Sequence, residues 1–141
     1  MGKVSIVYWS GTGNTEAMAA AMAEGAKDAG AEVELLTVDK ADAAALSEAK
    51  AFALGCPAMG AEVLEEGEME PFMAELDSQI AGKTIALFGS YDWGDGEWMR
   101  TWCGRAKDAG AELVEDEGLI VNNTPDDEGL AACRELGGVF T

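Results

Sequence analysis

Short apolar runs alternate along this chain with longer stretches whose apolar residues recur at three- and four-residue spacing. Lys3–Tyr8 is nearly continuous in β-forming residues (Val4, Ile6, Val7, Tyr8) and reads as a strand buried on both faces. Residues 15–29 follow as a helix, with Met18 and Met22 on one face and Gly30 as its stop. The same alternation predicts strands at 32–38, 51–55, 84–89 and within 112–121. It predicts helices at 43–50, 70–80, 97–109 and 126–137, the last with Pro125 near its start. One hexapeptide recurs: Lys27-Asp28-Ala29-Gly30-Ala31-Glu32 returns as Lys107-Asp108-Ala109-Gly110-Ala111-Glu112. Each copy should end a helix in a left-handed glycine cap and lead into a strand.

Strands alternating with helices imply an α/β fold, a doubly wound parallel sheet with helices on both faces. In such sheets the ligand sits beyond the carboxyl ends of the strands, where strand order reverses. Three connections of unusual composition leave strands at that end: residues 10–15, 56–68 and 90–97. The site is expected where they meet.

Length and composition narrow the class. A chain of 141 residues, 48% apolar, suits a single domain (1–141) with a core that needs no disulfides. Cys56, Cys103 and Cys133 are odd in number and widely spaced, which fits reduced thiols of an intracellular protein. No run approaches the ~20 apolar residues of a membrane span, and no signal-peptide pattern opens the chain, so a cytoplasmic protein is expected. The 27 acidic residues outnumber 9 basic ones, for a net charge of −18. That charge argues against a nucleic-acid partner and is compatible both with protein partners bearing basic faces and with a purely solubilising role. The chain has no histidine, so neither a histidine base nor a histidine metal site is available.

Ser10-Gly11-Thr12-Gly13-Asn14-Thr15 opens the first helix with three hydroxyls, an amide and two glycines, and without a Lys or Arg. Helix N-termini expose unpaired N–H groups and the positive end of the helix dipole, which together hold anions. The stretch is not a Walker loop, for lack of the lysine, and not G-x-G-x-x-G, because Glu16 stands where the third glycine would be. Neutral donors alone suit one compact, buried phosphate monoester. A plain helix cap by Asn14 or Thr15 would need only one such residue. Ala58-Met59-Gly60 and Tyr91-Asp92-Trp93-Gly94 add a thioether and two aromatics, fit to clamp a planar ring.

Three motifs in order, Tyr8-Trp9-Ser10-Gly11-Thr12-Gly13-Asn14-Thr15-Glu16, Gly55-Cys56-Pro57-Ala58-Met59-Gly60 and the run from Phe88 through Trp93 to Met99, resemble the short-chain flavodoxins of anaerobic bacteria. The likeness covers nearly the whole chain. It implies FMN held non-covalently on a five-stranded sheet of order 2-1-3-4-5, and one-electron transfer between redox enzymes in a ferredoxin-like role. By resemblance Ser10, Gly11, Thr12, Gly13, Asn14 and Thr15 hold the phosphate, with Ser90 contributing. Met59, flanked by Ala58, packs on the inner ring face and Trp93 on the outer. Glu62 accepts from flavin N3. Gly60, followed by Ala61, turns its carbonyl toward N5–H as the semiquinone forms. Backbone groups around Tyr91, Asp92, Trp93 and Gly94 serve the pyrimidine edge, and Asn123 reaches the ribityl chain. Relatives often carry Asp at the position of Ala61, Gly at that of Asp92 and, in some, Ser at that of Pro57. The first two departures should alter the stability of the half-reduced state.

Six acids (Glu62, Glu65, Glu66, Glu68, Asp92, Asp95) lie on the two ring loops. A charge ~10 Å away in high dielectric is worth about 0.4 kcal/mol, so together they lower a one-electron potential by on the order of 100 mV before screening. The expected protein is a monomeric low-potential carrier and not an enzyme, with no catalytic residue and no metal. A flavin-dependent NAD(P)H:quinone reductase and an FMN-binding regulatory module are the alternatives. A phosphorylated receiver domain would need acids where Ser10 and Thr12 stand. The sequence leaves open whether Trp98 and Trp102 form a docking face or pack on the sheet.

Overall fold

The computed structural model describes residues 3–11, 13–46, 48–49, 51–59, 64–91, 96–114, 117–122 and 124–140. Its strands are β1 (Lys3–Tyr8), β2 (Glu32–Thr37), β3 (Ala51–Gly55), β4 (Thr84–Tyr91), β5 (Glu112–Leu113) and β6 (Leu119–Asn122). The helices are α1 (Asn14–Asp28), α2 (Ala43–Leu46), α3 (Met69–Leu76), α4 (Glu97–Asp108) and α5 (Asp127–Phe140). All pairings are parallel, in the order β2-β1-β3-β4-β5, with β6 also on β4. The doubly wound sheet expected from the sequence is therefore present.

The expected fifth strand is in fact two short segments along one edge of β4. Thr84 and Ile85 pair with β5, and residues 88–91 pair with β6. The sequence between them carries the acids Glu115, Asp116 and Glu117, poor strand formers, and no apolar alternation survives across them. Pairing with β6 also carries β4 on to Tyr91, two residues beyond its expected end. Helices α2 and α3 are shorter than their periodicity suggested. Each gives way to tight i→i+3 turns, such as Ala49 N–H to Leu46 O (3.0 Å) and Gln79 N–H to Leu76 O (2.7 Å). Val38, expected to end β2, begins a 3₁₀ turn over Val38–Lys40.

Register divides the core into two layers. Ser5 and Val7 share a face with Phe52, Leu54, Ile85 and Leu87, and the opposite face presents Val4, Ile6, Ala53, Ala86 and Phe88. The repeated hexapeptide makes the same cap twice. Gly30 (φ 96°) and Gly110 (φ 95°) donate to Lys27 O and Lys107 O, and the following alanines reach Ala26 O and Ala106 O. Helix α5 continues through Gly137, its expected stop. A Cβ on Gly137 would lie 2.1 Å from Met22 O, and one on Gly25 would lie 1.9 Å from Arg134 O. These glycines let the backbones of α1 and α5 touch.

Trp98 and Trp102 are both 1% exposed, which settles their role as core. Trp98 Nε1 donates to Cys56 O (3.1 Å) and Trp102 Nε1 to Met73 Sδ (3.4 Å), so neither buried indole N–H is left unpaired. Across that layer Arg105 joins α4 to α3, binding both oxygens of Asp77 and one of Glu70.

Candidate functional site

The carboxyl ends of β1, β3 and β4 converge as expected, and backbone bonds bind them into one rim. Trp9 N–H donates to Gly55 O (3.0 Å), Cys56 N–H to Phe88 O (3.1 Å) and Ala58 N–H to Ser90 O (3.0 Å). All three segments that leave this rim are those singled out by composition.

In the first segment Gly13 (φ 95°) is the N-cap of α1 and makes no side-chain cap bond of its own. The cap comes from Ser10, whose Oγ accepts from Gly13 N–H (3.1 Å) and Glu16 N–H (3.3 Å). The helix is thus capped, as a plain structural reading requires, but by Ser10 instead of Asn14 or Thr15. A hydroxyl has one donor and two acceptor positions. Ser10 uses both acceptors on the loop, so among the described residues its proton is uncommitted. The N–H groups of Asn14 and Thr15 occupy the first helical positions, where the helix supplies no acceptor. A Cβ on Gly13 would meet nothing within 4 Å, so the loop is open on that side.

Thr15 and Ser90, 75 residues apart, meet beneath this loop. Their hydroxyl oxygens are 3.0 Å apart, and Ser90 N–H donates to Thr15 Oγ1 (3.3 Å). They are 1% and 4% exposed. Two hydroxyl protons serve one mutual bond, so whichever group donates within the pair, the other keeps a proton for which the described residues offer no acceptor. Buried polar hydrogens without acceptors are costly, which makes an oxygen-rich ligand the natural partner. Glu16 is turned aside from the loop, taking the Tyr8 hydroxyl proton (3.2 Å). Burial first, then the charge of Glu16, raises the Tyr8 pKa, so its phenol stays neutral.

Met59 and Ala58 are half-buried at the end of β3, and Tyr91 is half-buried at the end of β4. Tyr91 lies 5.8 Å from Trp98 between ring centroids, and Asn122 Nδ2 donates to its carbonyl (3.3 Å). Thr12, Gly60, Ala61, Glu62, Asp92, Trp93, Gly94 and Asn123 lie outside the described residues, as does Asp95.

The flavodoxin family model matches residues 6–137. The chain belongs to the flavodoxin family. It is 46% identical over 134 residues to the flavodoxin of Megasphaera elsdenii, covering 95% of both chains. It is 48% identical over 134 residues to that of Clostridium beijerinckii, covering 95% of this chain and 96% of the other. The solution structure of two-electron reduced Megasphaera elsdenii flavodoxin superposes with a TM-score of 0.88, covering 96% of each chain. Flavodoxins are FMN-binding electron carriers and not enzymes with a substrate of their own, and the chain takes FMN as its cofactor. The described residues fit that group: the hydroxyl protons of Ser10 and of the Thr15–Ser90 pair, beside a helix N-terminus, are neutral donors of the kind a phosphate accepts from.

Three residues that sequence reasoning passed over hold the site's frame. Glu65, counted only as a charge, caps α3. Its Oε2 accepts from Gly67 N–H (2.8 Å) and its Oε1 from Glu68 N–H (2.7 Å) and Met69 N–H (3.0 Å). An acid just before a helix start was the available signal. Glu68, another of the six acids, accepts from Trp9 Nε1 (3.2 Å) and so ties the end of β1 to the second connection. Cys56 is fully buried, and burial pushes its thiol up to about 12, so it is an inert proton donor.

Burial alone would raise the Glu65 pKa, but its three backbone donors outweigh that and hold it below the ordinary carboxylate range. A depressed folded-state pKa means stability that is present above the unfolded value, ~4.3, and lost as pH falls through the folded one. Glu65→Gln should therefore be less stable at pH 7 and lose less stability on acidification. Urea midpoints of both proteins across the acid range test this, and parallel curves would show that the carboxylate carries no such linkage.

Proposed function

We propose that the chain is a single-domain, low-potential one-electron carrier, with FMN held non-covalently at the carboxyl ends of β1, β3 and β4. The observation that carries this placement is the buried Thr15–Ser90 hydroxyl pair, with one proton to spare, at the N-terminus of α1. Bound FMN supplies the redox chemistry. Ser10, the Thr15–Ser90 pair, Thr12, Asn14 and the loop N–H groups hold its phosphate. Met59 covers one ring face and Trp93 the other, with Glu62 and the backbone around Tyr91, Asp92 and Gly94 at the pyrimidine edge and Asn123 along the ribityl chain. Gly60 and Ala61 lie beside the ring nitrogen that takes up a proton.

The −18 charge supports transient docking on basic faces of redox partners, monomeric behaviour through self-repulsion, and no affinity for nucleic acid. Among the described residues no helix is long and apolar enough to cross a membrane. We place the protein in the cytoplasm as a ferredoxin-like shuttle. Purified protein should bind one FMN per chain, turn yellow and accept electrons singly in a potentiometric titration. Rapid NADPH oxidation by the protein alone would instead support the quinone-reductase reading.

Because Glu65 and Glu68 hold the frame, the charge effect is best tested on the other four acids. Replacing Glu62, Glu66, Asp92 and Asp95 by their amides should raise the potential for the second electron by about 70 mV, at about 0.4 kcal/mol per charge. The shift should shrink as salt is added. Potentials unchanged at low salt would refute the electrostatic part of the reading.

A further inference from the structure

The connection from Pro57 to Leu64 is tied at both ends to one residue. Cys56 donates its N–H to Phe88 O, accepts Trp98 Nε1 at its carbonyl, and gives its thiol proton to Pro57 O (3.4 Å). Its Sγ in turn accepts Glu65 N–H (3.4 Å), closing the connection end to end. Glu65 fixes the far end three more times through its carboxylate, and Glu65 O accepts Glu70 N–H (2.8 Å). Leu64 beside it is buried. Every polar group of Cys56 is engaged, and Gly89 leaves it no slack: a Cβ there would lie 2.1 Å from Cys56 O. The described residues on either side of 60–63, namely 57–59 and 64–65, are thus fastened to one buried thiol.

We propose that Cys56 and Glu65 form a clasp that positions Met59 against the cofactor ring and so sets the spacing of the two one-electron potentials. They are positioning residues, since neither needs to touch the ring. The inference depends on the placement of the ring beside Met59 proposed above. A clasp that served folding alone would weaken FMN binding equally in every redox state and leave the potentials in place. A clasp that holds Met59 in place acts differentially, because the ring's charge and protonation change on reduction while the side chain held against it does not move.

The test is a redox titration of the FMN-loaded variants. Glu65→Ala and Cys56→Ala should each change the relative affinity for the redox states about tenfold, ~59 mV for a one-electron couple. Cys56→Ser, which keeps a donor and acceptor, should stay near the parent. Glu65→Gln, which keeps one acceptor oxygen, should fall between, and serves if Glu65→Ala does not fold. Glu66→Gln removes the same charge from the adjacent residue and should give only the Coulomb effect, about twofold. If Met59→Ala shifts the potentials while Cys56→Ala does not, or while Glu65→Ala and Glu65→Gln merely match Glu66→Gln, the clasp is overturned. If Met59→Ala shifts nothing, the ring placement itself fails.

Discussion

The Thr15→Val/Ser90→Ala double variant is expected to bind FMN about 10- to 150-fold more weakly than the parent, far beyond the two single effects combined. The reason is a count of protons. In the parent the pair holds two hydroxyl protons and uses one internally. Either single variant removes one hydroxyl but frees the other's proton, so one donor to the phosphate survives. Only the double variant has none, and a hydrogen bond to a charged group is worth ~1.5–3 kcal/mol. Riboflavin, which lacks the phosphate, should bind parent and double variant within about twofold. Stability should follow a different pattern. Thr15→Val leaves the buried Ser90 N–H without its acceptor and should cost ~1–3 kcal/mol, whereas Ser90→Ala keeps that bond and should cost less. Fluorescence titration and urea unfolding read the two effects separately. Additive losses in FMN affinity would show that the hydroxyls do not share one donor position.

The difference between what could and could not be read in the sequence lies in the range of the interactions. Helix-to-strand joints at Gly30 and Gly110 were legible because a left-handed cap is set by neighbouring residues. The composition of 10–15 points to an anion loop by equally local means. Which hydroxyl caps α1 and which is offered to a ligand was not legible, because Ser90 must arrive from 75 residues away to occupy Thr15. Glu65 looked like one charge among six because its role depends on where α3 begins, and helix boundaries are the least certain feature of a periodicity. The sequence puts a single strand within 112–121, yet two short segments there pair separate stretches of β4. Trp98 and Trp102 have the same identity on a surface or in a core. Their burial, with the bonds to Cys56 O and Met73 Sδ, decides between them.

Gly25→Ala is expected to destabilise the protein by about 2–3 kcal/mol, against the sign that helix propensity alone gives. Alanine favours a helix interior over glycine by ~1 kcal/mol. Here the added Cβ would sit 1.9 Å from Arg134 O, a backbone atom of α5 that no rotamer change removes. Overpacking of this kind typically costs ~1–3 kcal/mol and sometimes more, so the overlap outweighs the propensity gain. Gly137→Ala should behave alike, with its Cβ 2.1 Å from Met22 O. Gly138→Ala is the contrast. Its nearest atom, Gly25 O, is 3.8 Å from the new Cβ, an ordinary contact, so propensity should prevail and stability rise by up to ~1 kcal/mol. The same helix contact bears on the cofactor, since α1 carries Thr15 at the end that meets Ser90. If α1 yields to the clash by moving off α5, Thr15 shifts against Ser90, and saturating FMN should then raise the unfolding midpoint of Gly25→Ala less than that of the parent. An equal FMN-induced rise in both would mean that the strain is absorbed within α5, leaving the phosphate loop where it is.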